Sequence, residues 1–162
     1  MALVETAVRG AVCTLTLNDP DRRNPLSETL ASSLRAAIAE AGSDPQVRCL
    51  LLTGKGDAFC AGGDLAALDS LSPADVARFM AQTQAITQEM AALPIPVVVA
   101  INGAAAGAGF SLAVAGDVLL AAQSAVLIPA FRRLGAGPDL GLVHTLQRTI
   151  GLHRTSVILL GD

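Results

Sequence analysis

The spacing of hydrophobic positions changes several times along the chain, and each change predicts an element. Residues 2–8 (ALVETAV) and 11–17 (AVCTLTL) are strand-like runs split by Arg9-Gly10, which predicts a β-hairpin. Residues 18–25 (NDPDRRNP) form turns. From Ser27 the period becomes helical: Leu30, Leu34, Ile38 and Ala41 recur on one face, with Ser27 as cap and Gly42 as stop. Residues 47–54 (VRCLLLTG) predict a buried strand, and 54–64 (GKGDAFCAGGD) a glycine-rich loop. Ser72-Pro73 opens a second helix with a cap and a first-turn proline. Its apolar stripe is Val76, Phe79, Met80, Thr83, Ile86 and Met90. It ends before LPIP, because each proline disfavours helix at the residue before it. VVVAI (97–101) is a buried strand, and 102–115 a turn into a helix. DVLLAA (117–122) is a strand followed by the short run AVLI (125–128). Residues 129–139 (PAFRRLGAGPD) form a loop with room for one helical turn. The next helix has Leu140, Val143, Leu146 and Ile150 inward, and LHRTSVILLGD begins another.

Strands alternating with helices imply an α/β fold with a largely parallel sheet. At 162 residues, with no linker or repeat, residues 1–162 read as one domain. A chain of this size buries roughly 70% of its unfolded surface, so it needs no disulfide or metal staple. Hydrophobic residues make up 52% of it. No apolar run reaches the roughly 20 residues that span a bilayer, so the surplus points to a buried sheet and subunit interfaces, not to a membrane. A net charge of −3, four Phe and no Trp or Tyr exclude a basic or aromatic nucleic-acid platform. Cys13, Cys49 and Cys60 are odd in number and unpatterned, and the N-terminus lacks signal-peptide anatomy. Both features predict a cytoplasmic protein.

Two glycine-rich stretches then need a purpose. GKGD lacks the Lys-Ser/Thr of a P-loop. In GAAAGAG the glycines fall at 103, 107 and 109, off the dinucleotide spacing, and no acid follows at the distance a ribose requires. His144 and His153 have no Cys partner, so no metal site is expected. Backbone donation remains. The first N–H groups of a helix lack internal acceptors, and two of them aimed at one oxygen make an oxyanion hole. Close helix–strand packing also favours Gly and Ala, and either stretch alone fits that reading as well.

Taken together, GKGDAFCAGGDL, INGAAAGAGFSLAVAGD and the upstream RRNPLSETL resemble the crotonase (enoyl-CoA hydratase/isomerase) superfamily over nearly the whole chain. The resemblance implies a ββα spiral core. It implies an oxyanion hole for an acyl-CoA thioester made by the N–H groups of Gly63 and Ala108. It implies a CoA site formed by Arg23, Pro25 and Leu26 with Ala61, Asp64 and Leu65. Coenzyme A enters as part of the substrate, with no permanently bound cofactor, and the oligomer is a trimer or hexamer. Family chains continue for several further helices, so the resemblance implies a core shortened at its C-terminus. That leaves a fragment or a chain completed by a partner. Arg22 and Arg23 fit CoA phosphates or a solvated loop equally well. Asp64 reads best as a cap for nearby N–H groups.

Hydratases of this family use two glutamates, and their positions here hold Ser111 and Ala130. Neither side chain can act as base for water and acid for carbon, which argues against ordinary hydration. The remaining carboxylate is Asp139, in a Pro-Asp-x-Gly segment resembling the isomerase branch, including the ring-epoxide isomerases of phenylacetyl-CoA breakdown. There a single Asp moves a proton while the thioester oxygen carries the charge of an enolate. Asp139 also sits where a helix cap is favoured. A cap would lower its pKa; an apolar pocket formed with Phe110, Leu112, Phe131 and Leu134 would raise it, and desolvation is expected to dominate. Cys60 and Ser111 lack a His in sequence to activate them as nucleophiles. Three functions follow: a double-bond isomerase, a CoA-thioester binding protein without turnover, or a thioesterase needing a water-activating group that the sequence does not offer.

Overall fold

The computed structural model describes residues 2–161. In chain order the elements are β1 (Val4–Arg9), β2 (Val12–Leu17), α1 (Glu28–Ser43), β3 (Cys49–Gly54), β4 (Ala58–Cys60), α2 (Leu65–Leu68), α3 (Pro73–Ala92), β5 (Val97–Ile101), β6 (Ala104–Ala106), α4 (Ala108–Ala113), β7 (Val118–Ala121), β8 (Val126–Ile128), α5 (Leu142–Ile150) and α6 (Leu152–Leu160).

The strands form two sheets. The larger has the order β1-β2-β3-β5-β7, antiparallel only at the β1–β2 hairpin and parallel elsewhere. The hairpin turns at Gly10, whose φ of +59° suits a residue without a Cβ. The strands read as buried runs in fact alternate. Leu15 and Leu17 of β2, Leu50 and Leu52 of β3, and Val99 and Ile101 of β5 point into one core, while their neighbours are half-buried. Side chains alternate faces every residue, so one face packs tightly and the other does not.

Helices α1 and α3 cover that core. Ser27 caps α1 by accepting from Leu30 N at 3.2 Å, and Ser72 caps α3 by accepting from Asp75 N at 3.2 Å. Leu30, Leu34 and Ile38 meet Ile86 and Met90 in the core, and Arg35 Nε donates to Glu89 at 2.9 Å across the two helices. Three expectations for the helices need correction. Gly42 does not stop α1, which runs on to Ser43; a Cβ at Gly42 would lie 2.5 Å from Leu93 Cδ2, so the glycine makes room for a neighbour. Met80 is 36% exposed and Val143 is 39% exposed. In α5 the inward residues are Leu142 and Leu146, while Leu140 is buried ahead of the helix. Both errors come from apolar stripes broader than the surface available to cover them.

The smaller sheet, β4-β6-β8, is parallel throughout, and it corrects the expected loop at 54–64 and turn at 102–115, each of which holds a three-residue strand too short to show a period. Its consequence is geometric. Parallel strands end at the same edge, so the segments leaving β4, β6 and β8 emerge side by side. Carboxyl ends of parallel strands are where α/β proteins gather their ligand-binding groups.

Candidate active site

The segment leaving β4 is Ala61-Gly62-Gly63-Asp64. Leu26 N donates to Gly62 O at 2.7 Å and Ala61 N to Arg23 O at 2.9 Å. These bonds lay the Arg23–Leu26 strip beside the glycine turn, with an isolated parallel bridge between Leu26 and Gly63. The Gly63 N–H belongs to neither bond. Gly62 has φ +97°, and a Cβ on it would lie 3.4 Å from Ala108 N. The two glycine motifs are therefore packed backbone to backbone.

The segment leaving β6 is Gly107-Ala108. Gly107 N donates to Ile128 O at 3.0 Å, which ties this turn to β8. Ala108 is the first residue of α4, where an N–H has no intrahelical acceptor. Gly109 packs so closely on Cys60 that a Cβ there would press into the Cys60 carbonyl. The bare backbone thus lets close packing set the turn, and it brings Ala108 N beside the Gly62–Gly63 turn.

Two asparagines brace β4, which leads into the first turn, and the loop before it. Asn24 is 0% exposed and has φ +54°. Its Nδ2 is positioned to donate to Lys55 O and Ala58 O, both at 3.0 Å, and to Phe59 O at 3.2 Å, while its Oδ1 accepts from Asp19 N at 2.8 Å. Asn102 Nδ2 reaches Gly56 O at 3.1 Å and Ala58 O at 3.2 Å, and its Oδ1 accepts from Gly54 N at 3.1 Å. The sequence shows only Asn-Pro and Asn-Gly, the marks of turns, so these long-range roles were missed.

The residues expected to line a CoA site do lie together, but unequally. Arg23, Ala61 and Leu65 are exposed, whereas Pro25 and Leu26 are buried and Leu26 meets the glycine turn through its backbone. Arg22 binds Asp64 at 2.6 Å and approaches Asp19 at 3.6 Å. Asp64 accepts from Ala67 N at 3.4 Å and so caps α2, as anticipated. The hydrogen bond from the Arg22 guanidinium holds the Asp64 carboxyl below the usual carboxylate range.

Asp139 departs from the cap expectation. The residue before α5 is Gly141, and α5 has no side-chain cap. The Asp139 carbonyl accepts from Leu142 N at 2.9 Å, while its carboxylate turns away to accept from Ser111 Oγ at 2.8 Å. Burial pushes the Asp139 pKa up, opposed by the Ser111 hydroxyl and its own main-chain N–H. Phe110 and Phe131 form a second core cluster with Leu142 and Leu146, beside Ser111 and Asp139 in the chain. Leu112 belongs to the main core and Leu134 is half exposed, so only part of the expected apolar pocket forms. Cys60 is fully buried and its thiol is pushed up to about 12 by desolvation, which makes it a poor nucleophile.

An open cleft of about 690 Å³ lies between α2, the start of α3 and the loop before Asp139, lined by Leu65, Leu68, Val76, Leu134 and Ala136. Among the described residues no cluster of His, Cys, Asp and Glu could hold a metal, and no helix is long and apolar enough to cross a membrane.

The family described as enoyl-CoA hydratase/isomerase matches residues 7–161. This chain belongs to that family. The "1,2-epoxyphenylacetyl-CoA isomerase" of Escherichia coli (strain K12) is 40% identical, over 100% of this chain and 64% of that protein. A "Probable enoyl-CoA hydratase" of Mycobacterium tuberculosis is 39% identical, over 86% of this chain and 55% of its own length. Among solved structures, a putative enoyl-CoA hydratase from Streptomyces coelicolor A3(2) superposes with a TM-score of 0.91 at 34% identity, over 99% of this chain and 60% of that one. An enoyl-CoA hydratase from Bacillus anthracis superposes with a TM-score of 0.93 at 30% identity, over 98% of this chain and 62% of that one. The fold is the crotonase fold, as the glycine motifs implied. The enoyl-CoA hydratase/isomerase chain described here spans about 55–64% of the length of these relatives.

Proposed function

We propose that the chain acts as an acyl-CoA double-bond isomerase, with Asp139 as its acid/base. The observation that carries this reading is the Ser111–Asp139 pair. Where a hydratase of this family would carry its first glutamate, Ser111 instead donates to a carboxylate from another segment. One partly desolvated carboxylate suits proton shuttling, whereas water addition in this family uses two.

The thioester oxygen would lie between Gly63 N–H and Ala108 N–H. Asp139 takes a proton from C2 of a 3-enoyl thioester, and the C–H electron pair moves into the carbonyl as a dienolate. The two N–H groups stabilise the negative oxygen. The protonated Asp139, whose acidic hydrogen exchanges with solvent, delivers a proton to C4, and the double bond shifts into conjugation at C2–C3. No resident cofactor is required; coenzyme A belongs to the substrate. Loss of one oxyanion donor costs on the order of 3 kcal/mol of transition-state stabilisation. Acid–base transfer by one side chain typically contributes about 10²–10⁴-fold.

The acyl group is proposed to occupy the apolar cleft beside Leu65, Leu68 and Val76. A ring-derived, phenylacetate-type acyl-CoA is favoured by the 40% identity to the isomerase of E. coli, whose name carries that substrate. Arg23 is the better candidate for the CoA phosphates, because Arg22 is engaged by Asp64. Exposed Val118, Leu119, Leu120, Val126 and Leu127 support a homo-oligomer, a trimer or hexamer by family resemblance. The unpaired cysteines fit a cytoplasmic setting.

The test is incubation with 3-hexenoyl-CoA in D₂O. Deuterium at C2 or C4 with a conjugated product is expected, and Asp139→Asn removes both. A 3-hydroxyacyl product would make the chain a hydratase, and free CoA a thioesterase. Binding without exchange would leave a CoA-thioester binding protein.

A further inference from the structure

Position 111 lacks the carboxylate that a hydratase of this family carries there. What it has is a hydroxyl with a single hydrogen. Ser111 is 1% exposed, and its Oγ lies 2.8 Å from Asp139 Oδ1 and 3.4 Å from Gly107 O. One hydrogen cannot serve both acceptors fully, and the shorter, charge-assisted bond wins.

The backbone around Asp139 is pinned separately. Leu142 N donates to Asp139 O at 2.9 Å, and Thr87 Oγ1 of α3 donates to Leu140 O at 3.1 Å. Leu140 has φ +46°, rare for leucine, and is held there while 2% exposed. These contacts fix where the Asp139 main chain sits. They do not fix the plane of its carboxylate, whose χ2 torsion is broad and nearly two-fold. Only the Ser111 hydroxyl engages the carboxylate from another side chain among the described residues. Oδ2 takes no side-chain hydrogen bond and is not sealed among the unpartnered interior atoms.

We infer that Ser111 is a positioning residue for Asp139: its hydroxyl occupies Oδ1, fixes the carboxylate plane and confines the exchangeable proton to Oδ2. This rests on reading Asp139 as the acid/base. The chemistry is self-consistent in both halves of the cycle. With the carboxylate charged, Ser111 donates to Oδ1. With the proton on Oδ2, Oδ1 is still an acceptor and the same bond persists. The carboxyl therefore need not reorient between taking the proton from one carbon and returning it to another. Such fixed orientation is what converts a nearby group into an effective one.

The groups that act on the Asp139 charge are few. From α4 there is the Ser111 hydroxyl, from the loop its own N–H, and from β4 the Cys60 thiol. The thiol is neutral across the working range, so it contributes no titration of its own.

The experiment compares wild type, Ser111→Ala and Ser111→Thr with 3-hexenoyl-CoA across pH. A ¹³C NMR titration of side-chain carboxyls, with Asp139 assigned by its loss in Asp139→Asn, runs beside it. Ser111→Ala is expected to lower kcat about tenfold, the scale of one hydrogen bond to a charged group, with KM near the wild-type value. Its acidic limb and its Asp139 titration both move to higher pH, because an interaction favouring the charged form has gone. Ser111→Thr keeps the hydroxyl and restores both. An unmoved limb and titration in Ser111→Ala overturn the inference, and so does equal loss in the Ala and Thr variants with native thermal unfolding. A wild-type chain that shows no isomerisation overturns the proposed function instead. In that case the NMR titration still decides the positioning role: a rise in Ser111→Ala supports it and no change overturns it.

Discussion

The two turns that meet at the site are built by opposite means. The first, Ala61–Asp64, is held from outside. Arg22 reaches Asp64, while Asn24 and Asn102, from distant parts of the chain, donate to carbonyls of β4 and of the loop before it. The second, Gly103–Gly109, is held by having almost nothing to hold. A Cβ on Gly103 would press into the Asp57 carbonyl, and one on Gly109 into the Cys60 carbonyl. A chain can place a main-chain N–H either by bracing the loop with polar arms or by stripping side chains until two backbones touch. The first method is distributed over several bonds. The second has no slack.

That contrast can be broken most severely at Gly109. Gly109→Ala is expected to cost about 3 kcal/mol or more, because the atom it meets is backbone and cannot swing away. Urea unfolding measures it, and a near-native midpoint would show that the second turn has more slack than its geometry implies. Next comes Asn24→Ala, which takes the side-chain donor from the carbonyls of Lys55, Ala58 and Phe59 and the acceptor from Asp19 N, leaving Ala58 O with Asn102 alone among side chains. A loss of about 2–3 kcal/mol is expected, with hydrogen exchange rising in residues 54–64 and not in 103–109. Gly107→Ala sharpens the comparison within the second turn. There is open space around Gly107, so only its backbone conformation is at stake; with φ +50° and ψ −121° it lies outside the left-handed helical region, and the cost is about 2 kcal/mol.

Asp139→Asn tests the third segment. Burial raises the Asp139 pKa, so the folded state keeps its proton to higher pH than the unfolded chain does. The stability this group contributes is present below the ordinary carboxylate value and is lost as pH rises through the raised one. The Asn variant should therefore unfold at a higher temperature than wild type at neutral pH and at the same temperature in acid. It should also be inactive. Equal melting curves at neutral pH would count against desolvation of this carboxyl. The smallest effect belongs to Arg22→Ala, which should leave the unfolding midpoint almost unmoved, because exposed ion pairs add little. Binding of CoA should survive it as well. A large loss in a CoA titration would return Arg22 to the phosphate role here given to Arg23.

Local signals were legible wherever neighbours in sequence are also neighbours in space. Ser27 and Ser72 cap the helices they precede, Gly10 turns the hairpin, and the strands of the larger sheet and helices α1 and α3 follow the order the periodicity shows, whereas β4, α2 and β6, at three or four residues each, are too short to carry a period. Gly42 misled because its smallness answers to Leu93, and a stop signal and a packing gap look alike in sequence. Val143 and Met80 misled because an apolar stripe does not state how much of it finds cover. Of the candidate site, the glycine motifs were readable as a pair, yet the asparagine braces were not.

By itself the sequence determined the α/β order, the capped helices and the two bare turns, because those depend on backbone propensity and periods of a few residues. Only the tertiary structure decided that Asp139 turns from its helix to Ser111, 28 residues away, and that Asn24 spans 34 residues to Ala58. Hydrogen bonds of that reach are set by how parallel strands bring their ends together, and no local pattern encodes which distant partner will be there.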